Sequence, residues 1–418
     1  MSTRRRSTLA RHGRLRSPGL AVSVLRTVAL ALCVVLVAGA SVGAIAYERF
    51  ASNISNGKVR LGADDPADIP EIGAYSGTVN LLLVGSDSRN AQKGRYGENP
   101  GSTLNDVNIL IHISADHTKA TVISIPRDLY VSRPACTDPS DTAKTLPGAT
   151  GVKINSVLEF GGLGCVRDTV ADVTGMKIPF AALITFDGVV EMSNAVGGVP
   201  VCVAKAIDDD YTGLHLTAGV HTLQGVTALK FLRTRHGVGD GSDLTRISSQ
   251  QVFLSSLVRK MKSSSTLTDV TKLYGLAISA SQSMNLSSGL ANVDTMVSIG
   301  RAVAAIPLAQ FVLVQLPTTL EGDGLVPNEK AASTLLAAVK ADKTLRLAKK
   351  QQGATEGAGS VDTGGSTASP SASPSSSGSS SPSPSATSSD DVVDLPSTVV
   401  GQSVDQQTCS VGNDLGTR

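Results

Sequence analysis

Three short clusters in this sequence set acidic and basic side chains side by side in a way that suits phosphate chemistry. Asp87 and Arg89 fall in Gly85-Ser86-Asp87-Ser88-Arg89, Asp106 in Leu104-Asn105-Asp106-Val107, and Arg127 and Asp128 in Ser124-Ile125-Pro126-Arg127-Asp128. A later set comprises Arg233 and Arg235, two residues apart, then Asp243, Arg246 and Gln250 at i, i+3 and i+7. An extended segment would aim Arg233 and Arg235 the same way. A helix capped by Ser242 or Asp243 would align Asp243, Arg246 and Gln250 in one polar stripe, with Gln251, Phe253 and Leu254 facing elsewhere.

Arginine suits pyrophosphate because its planar fork donates two hydrogen bonds and keeps its charge at any relevant pH. Carboxylates repel the same ligand. Their presence among the arginines makes sense if Asp87 and Asp106 hold a hard divalent cation, Mg2+ (or Mn2+), which bridges phosphate oxygens. Such a set describes phosphoryl transfer, in which positioning and charge neutralisation do most of the work. Taken singly, Asp-Ser-Arg and Pro-Arg-Asp also describe surface ion pairs or turns, and Asp243 also describes a helix cap. Only the ordered combination points to a site.

The elements that must carry these residues are legible from apolar patterning. Residues 80–85 form a short apolar run expected to be a strand buried on both faces, 107–113 alternates as a half-buried strand, and 120–125 follows after a turn. If these strands pair antiparallel, the end of the first, the start of the second and the end of the third share one sheet edge. Two carboxylates and an arginine then converge. Helices are expected over 166–173, 189–195 (stopped by Gly197-Gly198), 223–231, 247–261 and 329–349, and strands over 180–186 and 311–316. The mixture predicts an α/β domain with a mixed, largely antiparallel sheet.

The 418 residues include no Trp and only 3% aromatics, so the core must be aliphatic. The net charge of +2 is unevenly spread, because the arginines at positions 4, 5, 6, 11, 14, 16 and 26 all precede the first acidic residue, Glu48. An uncharged run from Thr27 to Tyr47 follows. At about 1.5 Å per residue it spans a hydrocarbon core of roughly 30 Å. The expectation is a retained signal anchor with a cytoplasmic N-terminus and the remainder outside, the alternative being a cleaved signal peptide. A DNA-binding arm fits poorly beside an apolar run, and no nucleic-acid partner is expected. The domains then read as basic N-terminus 1–26, transmembrane helix 27–47, linker 48–77, globular domain 78–350, a Ser/Pro/Gly-rich spacer 351–390, and a C-terminal segment 391–418 whose docking the sequence leaves open. Of five cysteines, Cys33 lies in the apolar run. Cys136, Cys165, Cys202 and Cys409 lack metal-binding spacing and suggest disulfides in an oxidising compartment, with Cys136–Cys165 the local choice and Cys202–Cys409 left open.

The blocks NLLLVGSDSR, STLNDVNILIHI, SIPRDLYV, KINSVLEFGG, FDGVVEMSNAVGGVPVCV, GLHLTAGVHTLQGVTALKFLRTRH and GSDLTRISSQQVFL, in that order from about Asn80 to Leu257, resemble the LytR-CpsA-Psr family. That resemblance implies a three-layer α/β/α sandwich with a deep apolar pocket for a polyprenyl chain and arginines gripping a pyrophosphate at its mouth. It implies transfer of a glycopolymer from a polyprenyl-pyrophosphate carrier to a peptidoglycan sugar hydroxyl at the cell membrane, with carrier pyrophosphatase activity as a side reaction. Asp87 and Asp106 resemble the family's metal carboxylates, and Arg127, with Asp128 and Lys153, its catalytic group. Arg89, Arg233, Arg235, Asp243, Arg246 and Gln250 resemble its pyrophosphate-binding set. The family's usual Ser-Asp-Thr is here Asn105-Asp106-Val107, which removes a hydroxyl. A non-catalytic lipid-binding or wall-regulatory protein, and a simple carrier phosphatase, are the competing readings.

Overall fold

The computed structural model describes residues 24–34, 37, 38, 41, 58, 59, 61, 77–87, 101, 103–141, 143–264, 266–348, 358–360 and 391–413. Arg89, most of the 90–104 loop, the arginines at 4–16 and most of the linker and spacer lie outside the described residues. The chain divides into two units, Met1–Asn53 and Ile54–Arg418. In the first, residues 24–34, 37, 38 and 41 are helical. Among the described residues no helix is long and apolar enough to cross a membrane, and much of the expected 27–47 span falls outside them.

The second unit is built on an eight-stranded sheet. Its strands in chain order are β1 (Lys58–Val59), β2 (Val79–Ser86), β3 (Asn105–Ile113), β4 (Ala120–Ile125), β5 (Phe180–Ile184), β6 (Met284–Ser287), β7 (Phe311–Gln315) and β8 (Gly401–Ser403), arranged β1-β6-β5-β2-β3-β4-β7-β8. The pairs β2/β3, β3/β4, β5/β6 and β7/β8 are antiparallel, while β1/β6, β2/β5 and β4/β7 are parallel. The sheet is therefore mixed, with antiparallel pairs only slightly ahead.

The helices are α1 (Val157–Thr174), α2 (Phe186–Ala195), α3 (Gly225–Arg233), α4 (Asp243–Ser263), α5 (Val270–Ser283), α6 (Val293–Ala305) and α7 (Glu329–Lys340). Because side chains alternate along a strand, β2 sends Leu82 and Val84 into one face and Leu81 and Leu83 into the other. Leu82 and Val84 pack with Leu110, Ile123 and Val314 under Val166 and Val170 of α1 and Leu335 and Val339 of α7. On the opposite face Leu83 and Ile109 stay partly open to a cavity whose other wall comes from α2, α3 and α4. The expectation that residues 80–85 are buried on both faces is thus corrected: one face is core and the other is cavity wall.

Three element boundaries also differ from expectation. Helix α1 begins nine residues earlier than the patterning suggested, but breaks at Gly161-Gly162, where Gly162 takes φ +67°. A Cβ at Gly161 would lie 2.6 Å from that of Cys165, so the absence of a side chain there gives the Cys136–Cys165 disulfide its room. The closing helix stops at Lys340 rather than continuing to 349, because Asp342 turns the chain at φ 52° and its carboxylate receives the Ala115 amide (2.9 Å) and bonds His112 (2.9 Å). The folded unit also runs past residue 350. Within the expected spacer, Ala358–Ser360 is a strand antiparallel to Thr408–Val411, which lies parallel to Val199–Lys205 with Cys202 and Cys409 adjacent and disulfide-bonded.

Candidate functional site

The β2/β3 register places Gly85 opposite Val107 and Ser86 opposite Asn105, leaving Asp106 as an extra residue in β3. Such a bulge bends the strand and re-aims the side chain it carries. Beyond it the strands are closed by a reciprocal pair: Asp87 N donates to Leu104 O (3.3 Å) and Leu104 N to Asp87 Oδ1 (3.0 Å). Strand β3 also pairs antiparallel with β4, so Arg127, two residues beyond β4, arrives at the same edge. Asp87, Asp106 and Arg127 all line the cavity there, as the strand-end argument required.

Arg127 is the hub. Its Nη1 donates to Asp106 Oδ1 at 2.8 Å, and its Nε lies 3.3 Å from Asp243 Oδ1 and 3.6 Å from Asp128 Oδ2. Arg246 reaches Asp243 Oδ1 at 2.6 Å and donates to the Asp106 carbonyl at 3.0 Å. Burial opposes the charge on Arg127, but Asp106, Asp243 and Asp128 outweigh it and hold its pKa above the usual value. Burial pushes the Asp243 carboxyl up from its ordinary range, against the pull of Arg246 and Arg127. The same burial draws Arg246 down.

Helix α4 carries this chemistry into the cavity. Ser242 caps it by accepting the Thr245 amide (3.3 Å), and Arg246, Gln250, Phe253, Leu254, Leu257 and Met261 all line the cavity. The expectation that Phe253 and Leu254 face away from the polar stripe is therefore corrected. They continue it, since steps of three and four residues stay on one helix face. The face is polar at its N-terminal end and apolar after Gln250, whose Nε2 donates to Leu232 O at 3.0 Å.

Arg233 closes α3 with its guanidinium 4.4 Å from the Phe186 ring, and Arg235 follows outside the helix; both line the cavity. The cavity holds about 530 Å³, and much of its lining is apolar, including Leu83, Ile109, Val189, Met192, Leu232 and Leu257. Lys153 is not brought to it. Its Nζ pairs with Asp323 Oδ2 at 2.9 Å beside the Tyr130 ring, a separate exposed cluster. Asp128 and Asp243 sit behind the lining as counter-ions of Arg127, so Asp243 orients arginines rather than facing a phosphate.

Sequence reasoning missed three ionisable residues of the cavity lining. Asp209, Tyr211 and His236 line the cavity, with the Tyr211 and His236 rings 4.2 Å apart. Asp209, Tyr211 and His236 stand in a turn-rich stretch whose pairing no periodicity reveals. Among the described residues, the carboxylates of Asp87, Asp106 and Asp209 line the cavity with the guanidinium groups of Arg127, Arg233, Arg235 and Arg246. The all-oxygen donors of Asp87 and Asp106 suit a hard divalent cation, which would add positive charge beside the arginines.

Comparison with known proteins identifies the family. The model of the LytR_cpsA_psr family matches residues 45–350. The chain is 30% identical over 290 residues to cell wall biosynthesis protein LcpA of Corynebacterium glutamicum, covering 64% of this chain and 55% of LcpA. It is 27% identical over 277 residues to polyisoprenyl-teichoic acid–peptidoglycan teichoic acid transferase TagT of Bacillus subtilis, covering 64% of this chain and 80% of TagT. The chain thus spans little more than half the length of its corynebacterial relatives. Among solved structures, Bacillus subtilis TagV aligns with a TM-score of 0.49 at 19% identity, covering 64% of this chain and 97% of TagV. A LytR-Csp2A-Psr enzyme from Actinomyces oris aligns with a TM-score of 0.46 at 22% identity, covering 68% of this chain and 95% of that one. With well over half of its 418 residues matched, the chain belongs to the LytR_cpsA_psr family.

Proposed function

We propose that this protein is a cell-wall transferase that moves a glycopolymer from a polyprenyl-pyrophosphate carrier to a sugar hydroxyl of peptidoglycan, releasing polyprenyl phosphate. The observation that carries the reading is one cavity that joins an apolar lining to a group of arginines and carboxylates. An isoprenoid tail fits such a lining and a pyrophosphate such a group. The name of TagT, a polyisoprenyl-teichoic acid transferase acting on peptidoglycan, supports the same class of donor and acceptor.

In this mechanism the acceptor hydroxyl attacks the sugar-bearing phosphorus, a new P–O bond forms, the bond to the lipid-side phosphate breaks, and the hydroxyl proton leaves with the departing polyprenyl phosphate. Arg127, fixed by Asp106, Asp128 and Asp243, is held where charge grows on the transferring phosphoryl oxygens. Arg233, Arg235 and Arg246 grip the rest of the pyrophosphate. Asp87 and Asp106 would hold Mg2+ (or Mn2+), which when bound would neutralise phosphate charge alongside the arginines. Asp243 keeps both Arg127 and Arg246 in place. Water in the acceptor's position would give pyrophosphatase activity at the same site.

The N-terminal run is read as a membrane anchor with a cytoplasmic N-terminus and an external catalytic unit. Seven arginines with no acidic residue precede the apolar segment, whereas Glu48 and Arg49 offset each other just after it; this asymmetry supports the orientation, and two disulfides suit an oxidising compartment. Protease added to intact spheroplasts should then digest the catalytic unit. The function is tested with the full chain in detergent, a lipid-linked oligosaccharide, Mg2+ and peptidoglycan fragments. Mass spectrometry should find a phosphodiester conjugate together with polyprenyl phosphate. Released sugar phosphate with no conjugate would make it a phosphatase instead.

A further inference from the structure

One part of the cavity rim has no role in gripping lipid or pyrophosphate. Tyr211 is 71% exposed, yet its ring lies over that of His236 with the planes 30° apart. The arrangement is built. Asp209, fully buried, accepts the backbone amides of Tyr211 (3.0 Å) and Thr212 (3.2 Å) through Oδ1, and the Gly237 amide (3.3 Å) and Thr234 hydroxyl through Oδ2. One carboxylate thereby ties the turn bearing Tyr211 to the segment bearing Arg235 and His236. Four hydrogen bonds offset the cost of burying that carboxylate, and a ring fixed in this way while facing solvent is placed to meet a partner.

The position says what that partner is. Arg235 precedes His236, with its Nη2 3.4 Å from the imidazole Nε2, so the ring pair adjoins a group that would grip the pyrophosphate. On the donor, the group next to the pyrophosphate and away from the lipid is a sugar. A pyranose offers an apolar C–H face, which stacks on an aromatic plane, and hydroxyls for an imidazole nitrogen. We infer that Tyr211 and His236, clamped by Asp209, form a sugar platform that receives the first ring attached to the pyrophosphate and so recognises the cargo rather than the carrier. This rests on the proposed function.

Two probes separate the readings: geranylgeranyl pyrophosphate, and the same carrier bearing N-acetylglucosamine. Their affinities for the full chain would be measured by calorimetry with Mg2+, alongside melting curves. The wild type should prefer the glycosylated carrier. In Tyr211→Ala that preference should collapse, with the glycosylated carrier weakened up to about tenfold, whereas Tyr211→Phe should keep it within about twofold. Equal weakening of both carriers by Tyr211→Ala would make the ring structural and overturn the platform, as would an equal affinity of the wild type for both. If the wild type binds neither carrier, the carrier-pocket reading falls and the platform with it.

Discussion

Arg127 touches three carboxylates at once, and that geometry decides how the site should fail. Arg127→Ala removes the group held at the developing phosphate charge, so turnover should fall on the order of 10²-fold or more in the transfer assay. Asp87→Asn and Asp106→Asn should instead raise the Mg2+ concentration needed for half-maximal rate. Asp106→Asn should also lower the limiting rate, because Asp106 accepts from Arg127. Unaltered Mg2+ dependence in both variants would remove these residues from metal binding. Asp243 gives a test by pH. Burial raises its folded-state pKa, so the folded protein takes up this proton at higher pH than the unfolded chain does. The stability linked to this group is therefore present at acid pH and is lost as the pH rises through the folded value. Melting curves across that window should show the wild type losing ground relative to Asp243→Asn as pH rises. A difference that does not vary there, or that grows with pH, would contradict the burial argument.

At the scale of elements, the strand ends were legible and the helix faces only partly so. Alternation and turn residues located β2, β3 and β4 within a residue or two, and antiparallel pairing then brought Asp87, Asp106 and Arg127 to one edge. The bulge at Asp106 was not legible, because one unpaired residue leaves no mark on apolar alternation. Nor was the direction of α4's apolar half. A cavity wall and a core contact call for the same residue types, so Phe253 and Leu254 read as facing away from the polar stripe. Lys153 failed for a different reason: its pairing with Asp323, distant in sequence, draws it to another surface. Leu257 follows Arg246 by eleven residues, about 16 Å along the helix axis at 1.5 Å per residue. An extended geranyl chain stops short of that distance and a geranylgeranyl chain passes it. Leu257→Trp should thus weaken binding of geranylgeranyl pyrophosphate on the order of tenfold while sparing geranyl pyrophosphate, since overpacking acts only where the chain reaches. Equal effects on both probes would place the lipid elsewhere.

For the molecule as a whole, the segment 391–413 joins the rest in three ways that its separation by a Ser/Pro/Gly-rich stretch does not suggest. Gly401–Ser403 covers the edge of β7, which otherwise offers unpaired backbone groups to any passing chain. Cys409 is bonded to Cys202, closing a loop across a sequence separation of 207. The residues that follow brace the segment carrying Arg235 and His236: Gly239 N donates to Val411 O (3.1 Å), Asn413 N to Gly237 O (3.1 Å), and Asn413 Nδ2 to Gly239 O (2.8 Å). Of these ties only the presence of Cys409 was visible in the sequence, and four cysteines leave three pairings open. The ties are separable by experiment. If a protease site is placed in the spacer between 363 and 389 and cut, the C-terminal segment should stay attached through Cys202–Cys409 and through its strands, so the melting temperature should change little. Adding a reductant to the cut protein removes the covalent link that retains the segment, so that its attachment becomes bimolecular and at low protein concentration it diffuses away. The cut and reduced protein should then melt well below the protein that is only cut or only reduced, and should bind pyrophosphate more weakly as the Arg235 segment loses its support. A large drop from the cut alone would mean that the spacer, rather than the disulfide and the strands, keeps the segment in place.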